Sequence, residues 1–451
     1  MESYPVLRKE FSMSRVITKD EDDMVIYDTR TGTTAHLNAA AFEFAKRCRG
    51  NKTLREIISE LSRIAGEPPQ KIEENLSKFL KKMDDNGMLV YTHSPEQVRP
   101  EPCEVNLYSR IENVSFEITR QCNLRCKHCY SNSGVKRDKE LTVKEIKKLI
   151  DQLANIGVLN VMLTGGEPLL HPHFFDVLTY IRSKPMSCVI FSNGTLITQE
   201  VVDTLAEIGV LSVNISVDGA VPETHDAFRG VQGSFEKAVN AITMLREADI
   251  AVRCNTSLHK GNIGEFVEIT TLLEELGVEN SRVYPISYSG RPEKSDIFVT
   301  PEEYRRALKR LNQHLVQQGK EVRIELPYSL LLKNCGIGMD SLTIRSNGNV
   351  VPCPPFPDDA SLGNVREIPL AEIWNNSVFL NEARSINAFE VSPCRECIHV
   401  KVCKGGCMAD HYRRTGTLGC SDPFQCAYYT VFDDYIPVEI GDKPSISVEM
   451  R

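Results

Sequence analysis

The stretch Ile118–Ser131, reading ITRQCNLRCKHCYS, organises the chain, because Cys122, Cys126 and Cys129 follow an apolar, strand-like run with the spacing C-x3-C-x2-C. Three thiolates this close in sequence can hold three irons of a [4Fe-4S] cluster and leave the fourth iron without a protein ligand, which makes that iron a place for chemistry. A tetrahedral zinc centre or an ordinary electron-carrying cluster calls for four protein ligands instead. No fourth cysteine lies nearby.

From Val114 onward, strands alternate with helices, a pattern that argues for a parallel sheet with helical crossovers and an α/β fold. Strands are expected at Val114–Thr119, Leu159–Thr164, Cys188–Ser192, Leu211–Val217, Ala251–Ser257 and Arg282–Ser287. The segments between them are amphipathic; in Val143–Ile156 the residues Ile146, Leu149, Ile150 and Leu153 share one face.

The cysteine triad, followed by Tyr130 and later by Gly165-Gly166-Glu167-Pro168, resembles the radical S-adenosylmethionine (radical SAM) superfamily. That resemblance implies a partial (β/α)6 barrel of TIM type over about residues 110–325, with chemistry on the loops leaving the C-terminal strand ends. Each motif lies at or just after the end of an expected strand. The resemblance also implies S-adenosylmethionine as cofactor, its amine and carboxylate on the open iron. The Gly165–Pro168 loop would hold the amine, its glycines allowing close backbone approach and Glu167 offering an acceptor. Ser192-Asn193-Gly194 and Ser216-Val217-Asp218-Gly219 end the third and fourth strands and can supply polar groups to the ribose and carboxylate, although both are also ordinary turn sequences. His128 reads as a histidine beside the site or in solvent rather than a ligand. His225 and Arg229 are expected on a loop at the barrel mouth, where substrate contact and plain surface charge are equally open.

A chain of 451 residues exceeds what one hydrophobic core serves, so two or three domains are expected. The net charge of -8 gives no global basic field for nucleic acid or an anionic membrane. No apolar run approaches the roughly 20 residues of a membrane helix, the beginning MESYPVLRKEFS lacks a signal-peptide core, and a cytoplasmic address is expected. In that setting the 15 cysteines read as metal ligands rather than disulfides. Cys48, Cys103, Cys188 and Cys254 stand singly, in apolar or linker contexts, and read as buried or incidental thiols.

Residues 1–95 hold no clustered cysteines. Met24–Asp28 and Thr33–Leu37 read as a hairpin turning at Thr29-Arg30-Thr31-Gly32, where Gly32 can take a positive φ. Helical patterns follow at Ala39–Arg47, Thr53–Ala65 and Pro69–Asn86, with a capping box from Thr53 to Glu56, a stop at Gly87, and a strand at Met88–Tyr91. This winged-helix-like arrangement resembles the precursor-peptide recognition domains of ribosomal peptide modification, such as the chaperone of pyrroloquinoline quinone synthesis. Its last helix balances four lysines against Glu73, Glu74, Asp84 and Asp85 and so lacks a phosphate-neutralising face. An exposed hairpin edge can instead take an extended peptide as an added strand. A purely structural role is the other reading. Thr92–Pro102 reads as a linker.

Between Tyr328 and Tyr429 lies a second cysteine set: Cys335, then Gly348 and Cys353, then Cys394-x2-Cys397-x5-Cys403-x3-Cys407, then Cys426. Its order resembles the SPASM extension, a cysteine-rich domain over about residues 326–430, with 431–451 as a tail. The resemblance implies two auxiliary iron-sulfur clusters, one on Cys335, Cys353 and Cys407 and one on Cys394, Cys397, Cys403 and Cys426, three clusters in all, expected as [4Fe-4S]. Some relatives place a further cysteine where this chain has Ser329, so the first auxiliary cluster is expected to have an open iron or a non-cysteine ligand, with Cys420 a spare that could close the site or stay unliganded.

The family implication is a radical enzyme that modifies a precursor peptide. An electron from a donor such as a flavodoxin or ferredoxin cleaves S-adenosylmethionine, and the 5′-deoxyadenosyl radical abstracts a hydrogen to give a crosslink or an oxidation. The protein orients the reactants and the cofactor supplies the radical. Sulfatase-maturing relatives carry an acidic residue after the position of Cys353; Pro354 and Pro355 stand here and argue against that activity. Two alternatives stay open: an oxidase or decarboxylase of a small molecule such as a tetrapyrrole, and a non-catalytic peptide-binding electron carrier, which the triad and the Gly165–Pro168 loop disfavour.

Overall fold

The computed structural model describes residues 3–19, 22–95, 101–278, 280–286, 290–291, 296–319 and 334–432. The chain opens with β1 (Tyr4–Leu7), β2 (Phe11–Ile17), β3 (Asp22–Asp28) and β4 (Thr34–His36). Helices Ala39–Ala45, Leu54–Ala65 and Pro69–Asp85 follow, then β5 (Leu89–Thr92) and β6 (Cys103–Asn106). The expected hairpin is β3 and β4, and Gly32 takes φ 72° in its turn. Thr53 caps its helix in a reciprocal box with Glu56, satisfying two otherwise orphaned N–H groups. Phe42, Phe44, Ile57, Leu76, Phe79 and Met83 from the three helices pack into one buried core.

The sheet order is β4-β3-β2-β6, with β1 and β5 forming a separate antiparallel pair. β1, β2 and β6 were not expected from the sequence. Cys103, read there with the other single cysteines as a buried or incidental thiol, stands in β6, which runs parallel to β2, and its thiol donates to the Asn155 carbonyl at 2.7 Å. Cys48, Cys188 and Cys254 are buried.

The six expected parallel strands are β7 (Asn113–Thr119), β8 (Asn160–Gly165), β9 (Ser187–Ser192), β10 (Ser212–Ser216), β11 (Val252–Leu258) and β12 (Asn280–Pro285). Ser287, expected at the end of the last, lies outside the described residues. They pair in chain order, forming a partial (β/α)6 barrel. β13 (Ser341–Ile344) then joins β7 in parallel, and β14 (Asn349–Val351) and β15 (Gly363–Asn364) extend the sheet to nine strands. Residues two apart along a strand line one face of the sheet, and Phe116 with Ile118, Val161 with Leu163, Val213 with Ile215, and Ile190 share one core with Ile146, Leu149, Ile150 and Leu153 of helix Val143–Asn155. Each such side chain contributes about 1.5–3 kcal/mol by leaving water.

The N-terminal module covers the N-terminal ends of the barrel strands. Tyr27 Oη lies 2.5 Å from Ser187 Oγ, Val25 and Tyr27 pack on Leu159, and Arg110 donates to Ser14 Oγ at 2.6 Å and to the Asp23 carbonyl at 2.6 Å. The opposite ends of the strands carry every motif singled out in the barrel. Among the described residues no helix is long and apolar enough to cross a membrane.

Candidate functional site: a cysteine loop at the strand ends

The chain leaves β7 at Thr119 and enters the Cys122–Cys129 loop, which is tied down from three sides. At its base, Glu140 accepts the Arg120 N–H at 2.8 Å and the Arg137 N–H at 3.0 Å. Along one flank the Arg125 and Lys127 N–H groups donate, each at 3.0 Å, to the Arg229 and Phe228 carbonyls. From beyond β12, the Arg291 guanidinium donates to the Cys126 carbonyl at 2.6 Å and its backbone N–H to the Cys129 carbonyl at 3.1 Å. Glu140 and Arg291 had no signature in the sequence; Arg291 is distant in the chain, and only folding brings it to the loop.

The sulfurs meet donors. Leu124 N–H approaches Cys122 Sγ at 3.4 Å, Ser133 N–H approaches Cys129 Sγ at 3.2 Å, and Arg229 Nη1 stands 3.7 Å from Cys126 Sγ. Such donors stabilise thiolates and tune a cluster bound to them. Among the described residues no group of three His, Cys, Asp or Glu side chains is arranged to hold a single metal ion. The donor set of the triad, three thiols on one loop supplied with N–H donors, fits a polynuclear iron-sulfur cluster.

The Gly165–Pro168 loop lies against this base. Gly166 N–H donates to the Thr119 carbonyl at 2.8 Å and Glu167 N–H to the Gln121 carbonyl at 2.7 Å. A Cβ on Gly165 would lie 2.4 Å from the Thr119 oxygen, and one on Gly166 would lie 2.2 Å from the Gln121 oxygen. Both glycines are therefore required by the approach of two backbones, before any ligand is considered. Gly166→Ala is expected to destabilise the barrel by about 1–3 kcal/mol and to disorder the cysteine loop, seen as a lower unfolding midpoint and poorer iron incorporation; wild-type behaviour of both would refute the close approach.

Glu167 is fully buried and joins the second and third strand loops. It accepts Ser192 Oγ–H at 2.9 Å and Leu169 N–H at 3.3 Å on one oxygen, and Asn193 N–H at 2.8 Å on the other. Burial outweighs these bonds and raises its carboxyl to about 7. Asn193 continues the network to Asn123 in the cysteine loop at 3.0 Å. Ser216 ends β10, and Asp218, just beyond, is fully buried and ion-paired with Arg229 at 2.6 Å. Burial opposes ionisation of Asp218, but Arg229 prevails and keeps the carboxyl below its ordinary range.

The expectation that His225 and Arg229 occupy a mouth loop is corrected. Both lie in helix Pro222–Arg229 and are buried, because the 3.6-residue period turns them inward with Phe228, toward Asp218. His225 Nδ1 accepts the Asp218 N–H at 3.1 Å, which assigns the remaining proton to Nε2, and burial lowers its imidazole to about 4. His128 stacks on Phe228 with ring centroids 4.6 Å apart, beside the cysteines rather than in solvent.

The second cysteine set forms two groups. Cys335, Cys353 and Cys407 line one apolar cluster with Ile337, Val351, Phe356 and Met408. Burial, then Cys407 and Cys335, push the Cys353 thiol well up. Cys403 and Cys426 neighbour one another and Cys394, and Cys426 also neighbours Cys397. Cys397 and Cys426 are exposed. Cys420 is buried between the groups, packed on Cys394 and Ala388, and its thiol is pushed up to about 12 by burial, then by Cys394 and Cys335. Gly348 has φ 87° in the β13–β14 turn, which accounts for a glycine at that point of the motif. Ser329 lies outside the described residues.

A barrel with three cysteines on its first strand loop, followed by a domain with seven more in two groups, defines a radical SAM enzyme with a cysteine-rich extension. The comparisons with known proteins agree. The radical SAM superfamily profile matches residues 116–274, that of the SPASM iron-sulfur cluster-binding domain residues 335–398, and that of coenzyme PQQ synthesis protein D residues 23–89. AdoMet-dependent heme synthase of Methanosarcina barkeri is 34% identical over 341 residues, covering 70% of this chain and 96% of that protein. Mycofactocin maturase of Mycobacterium tuberculosis is 31% identical, covering 69% of this chain and 81% of that protein. The solved structure of Streptococcus suis SuiB bound to its precursor peptide SuiA shares the fold with TM-score 0.67 at 16% identity, over 93% of this chain and 99% of that chain. The chain belongs to the radical SAM superfamily and is a SPASM-bearing enzyme of it.

Proposed function

We propose that this enzyme modifies a ribosomally made precursor peptide by hydrogen abstraction, forming a crosslink or an oxidised residue. The observation that carries the reading is the N-terminal module, which matches the coenzyme PQQ synthesis protein D profile and leaves β4 as an edge of its sheet. Leu37 N–H bonds the Met24 carbonyl, and Asp28 N–H the Thr33 carbonyl. In the antiparallel register, the N–H and C=O groups of Thr34 and His36 therefore point away from β3. An extended peptide can add there as a further strand. A heme synthase relative supports the second reading, a tetrapyrrole substrate; its match uses 96% of that protein but only 70% of this chain, whereas the fold likeness to SuiB spans 93%.

In the proposed site Cys122, Cys126 and Cys129 hold the core cluster, which with S-adenosylmethionine supplies a 5′-deoxyadenosyl radical. Gly165, Gly166, Glu167, Pro168, Ser192, Asn193, Ser216 and Asp218 surround the cofactor's place. Glu167 acts there through the loops it joins. Cys335, Cys353 and Cys407 hold one auxiliary cluster and Cys394, Cys397, Cys403 and Cys426 the other. The exposure of Cys397 and Cys426 suits exchange of electrons with a flavodoxin or ferredoxin. The deciding experiment incubates the anaerobically reconstituted full chain with either a short peptide encoded beside its gene or iron-coproporphyrin III. A mass change in the peptide matched to 5′-deoxyadenosine is the expected result; turnover of the porphyrin alone would overturn the peptide reading.

A further inference from the structure

Arg345 sits where the two cysteine regions meet. It follows β13 directly, and because β13 runs parallel to β7 with Ile344 opposite Phe116, Arg345 comes beside Glu117, close to where β7 runs out into the Cys122–Cys129 loop. Arg345 and Glu117 are only 3% and 2% exposed. On one side, Arg345 Nη2 donates to the Pro354 carbonyl at 3.0 Å and to the Phe356 carbonyl at 2.9 Å, gripping the turn that follows Cys353. On the other, Nη1 stands 3.7 Å from Glu117 Oε2 and Nε 3.3 Å from Asp358 Oδ1. The guanidinium carbon lies 6.0 Å from the ring centre of Tyr130, the neighbour of Cys129.

The anionic side is equally committed. Glu117 Oε1 accepts Ser346 Oγ–H at 3.0 Å, Ser346 N–H at 3.3 Å and Arg137 Nε–H at 3.3 Å, and Arg137 also pairs with Asp358. Two cations and two anions balance, so neither buried charge is left uncompensated. A planar guanidinium can serve two carbonyls and two carboxylates from one centre; an ammonium cannot.

We propose that Arg345 is a positioning residue that holds the Cys353 loop against the radical-generating loop and, by its charge and hydrogen bonds, sets the reduction potential of the first auxiliary cluster. This rests on the assignment of Cys335, Cys353 and Cys407 as ligands of that cluster, and it holds whether the substrate is a peptide or a tetrapyrrole. Potentials of iron-sulfur clusters follow net charge and hydrogen bonding in their surroundings. Loss of a buried cation beside Cys353 therefore disfavours the extra electron, and the potential moves to a more negative value.

The test is a potentiometric titration, followed by electron paramagnetic resonance, of the reconstituted full chain and its R345Q and R345K variants, without substrate. A Cys353→Ala variant identifies the signal of the first auxiliary cluster. In R345Q that signal is expected to shift to lower potential or to lose its iron, while the signal that responds to added S-adenosylmethionine keeps its potential. R345K keeps the charge and is expected to move the potential less while still perturbing the spectrum. An unchanged first auxiliary signal with full iron, or an equal shift of all signals, would overturn the proposal. If R345Q yields no folded chain, R345K is judged by the same criterion.

Discussion

Cys126→Ala is expected to remove reductive cleavage of S-adenosylmethionine down to background, with a loss of about four irons per chain and retention of the remainder. Cys126 is the most deeply placed of the three proposed ligands, 9% exposed, and its sulfur is the one that faces the buried Arg229–Asp218 pair. An alanine there leaves two thiols on the loop, too few to anchor the core cluster. The auxiliary cysteines lie in separate cores of their own, so their iron does not depend on the loop. Iron counting after anaerobic reconstitution and an assay of 5′-deoxyadenosine check both halves. Cleavage at the wild-type rate would refute the assignment of the triad.

The barrel was legible because its strands carry the two-residue period of a sheet face. Val114–Thr119 sets Val114, Phe116 and Ile118 against Ser115, Glu117 and Thr119, and the observed β7 differs from the expected strand by one residue. The N-terminal hairpin and helices were legible through local chemistry: Gly32 in the turn, Thr53 and Glu56 in the capping box. β1, β2 and β6 were not, because Tyr4–Leu7 and Cys103–Asn106 are four residues each and strand identity comes only from partners far away in the chain. β2 pairs at once with β3 and with β6, a relation no local window contains.

At the site, the cysteine and glycine motifs announced themselves by spacing, but the residues that hold them did not. Arg229 and His225 read equally as substrate contacts or as surface charge on a loop, because a short polar helix has no strong apolar stripe; in the fold their neighbours are Asp218 and the cysteine loop. Arg291, Glu140 and Arg345 act through geometry between segments, by hydrogen bonds to backbone carbonyls and N–H groups, which leave no trace in residue order. The glycines of the Gly165–Pro168 loop carried a readable signal with a second cause, since their missing side chains admit the neighbouring backbone as well as any ligand.

Strand addition at β4 predicts that a Thr34→Pro, His36→Pro double variant binds a precursor peptide between about fivefold and about 150-fold more weakly, the cost of two hydrogen bonds at ~0.5–1.5 kcal/mol each. Proline is tolerated on an edge strand when its nitrogen faces solvent. Thr34 and His36 direct their N–H groups outward in the register with β3, so the inner ladder survives, while Ala35→Pro breaks that ladder and serves as the destabilised control. Removing the whole module is a poorer test. β6 would lose its partner β2, Arg110 its contacts with Ser14 and Asp23, and Leu159 the apolar cover of Val25 and Tyr27, so the barrel itself would suffer. Binding is measured by titrating the full chain with the peptide encoded beside its gene, and uncoupled 5′-deoxyadenosine formation in the double variant is expected to stay near wild type, because β4 lies with the module at the N-terminal strand ends and the cysteine loop at the opposite ends. Unweakened binding by the double variant would rule out this edge as the docking strand.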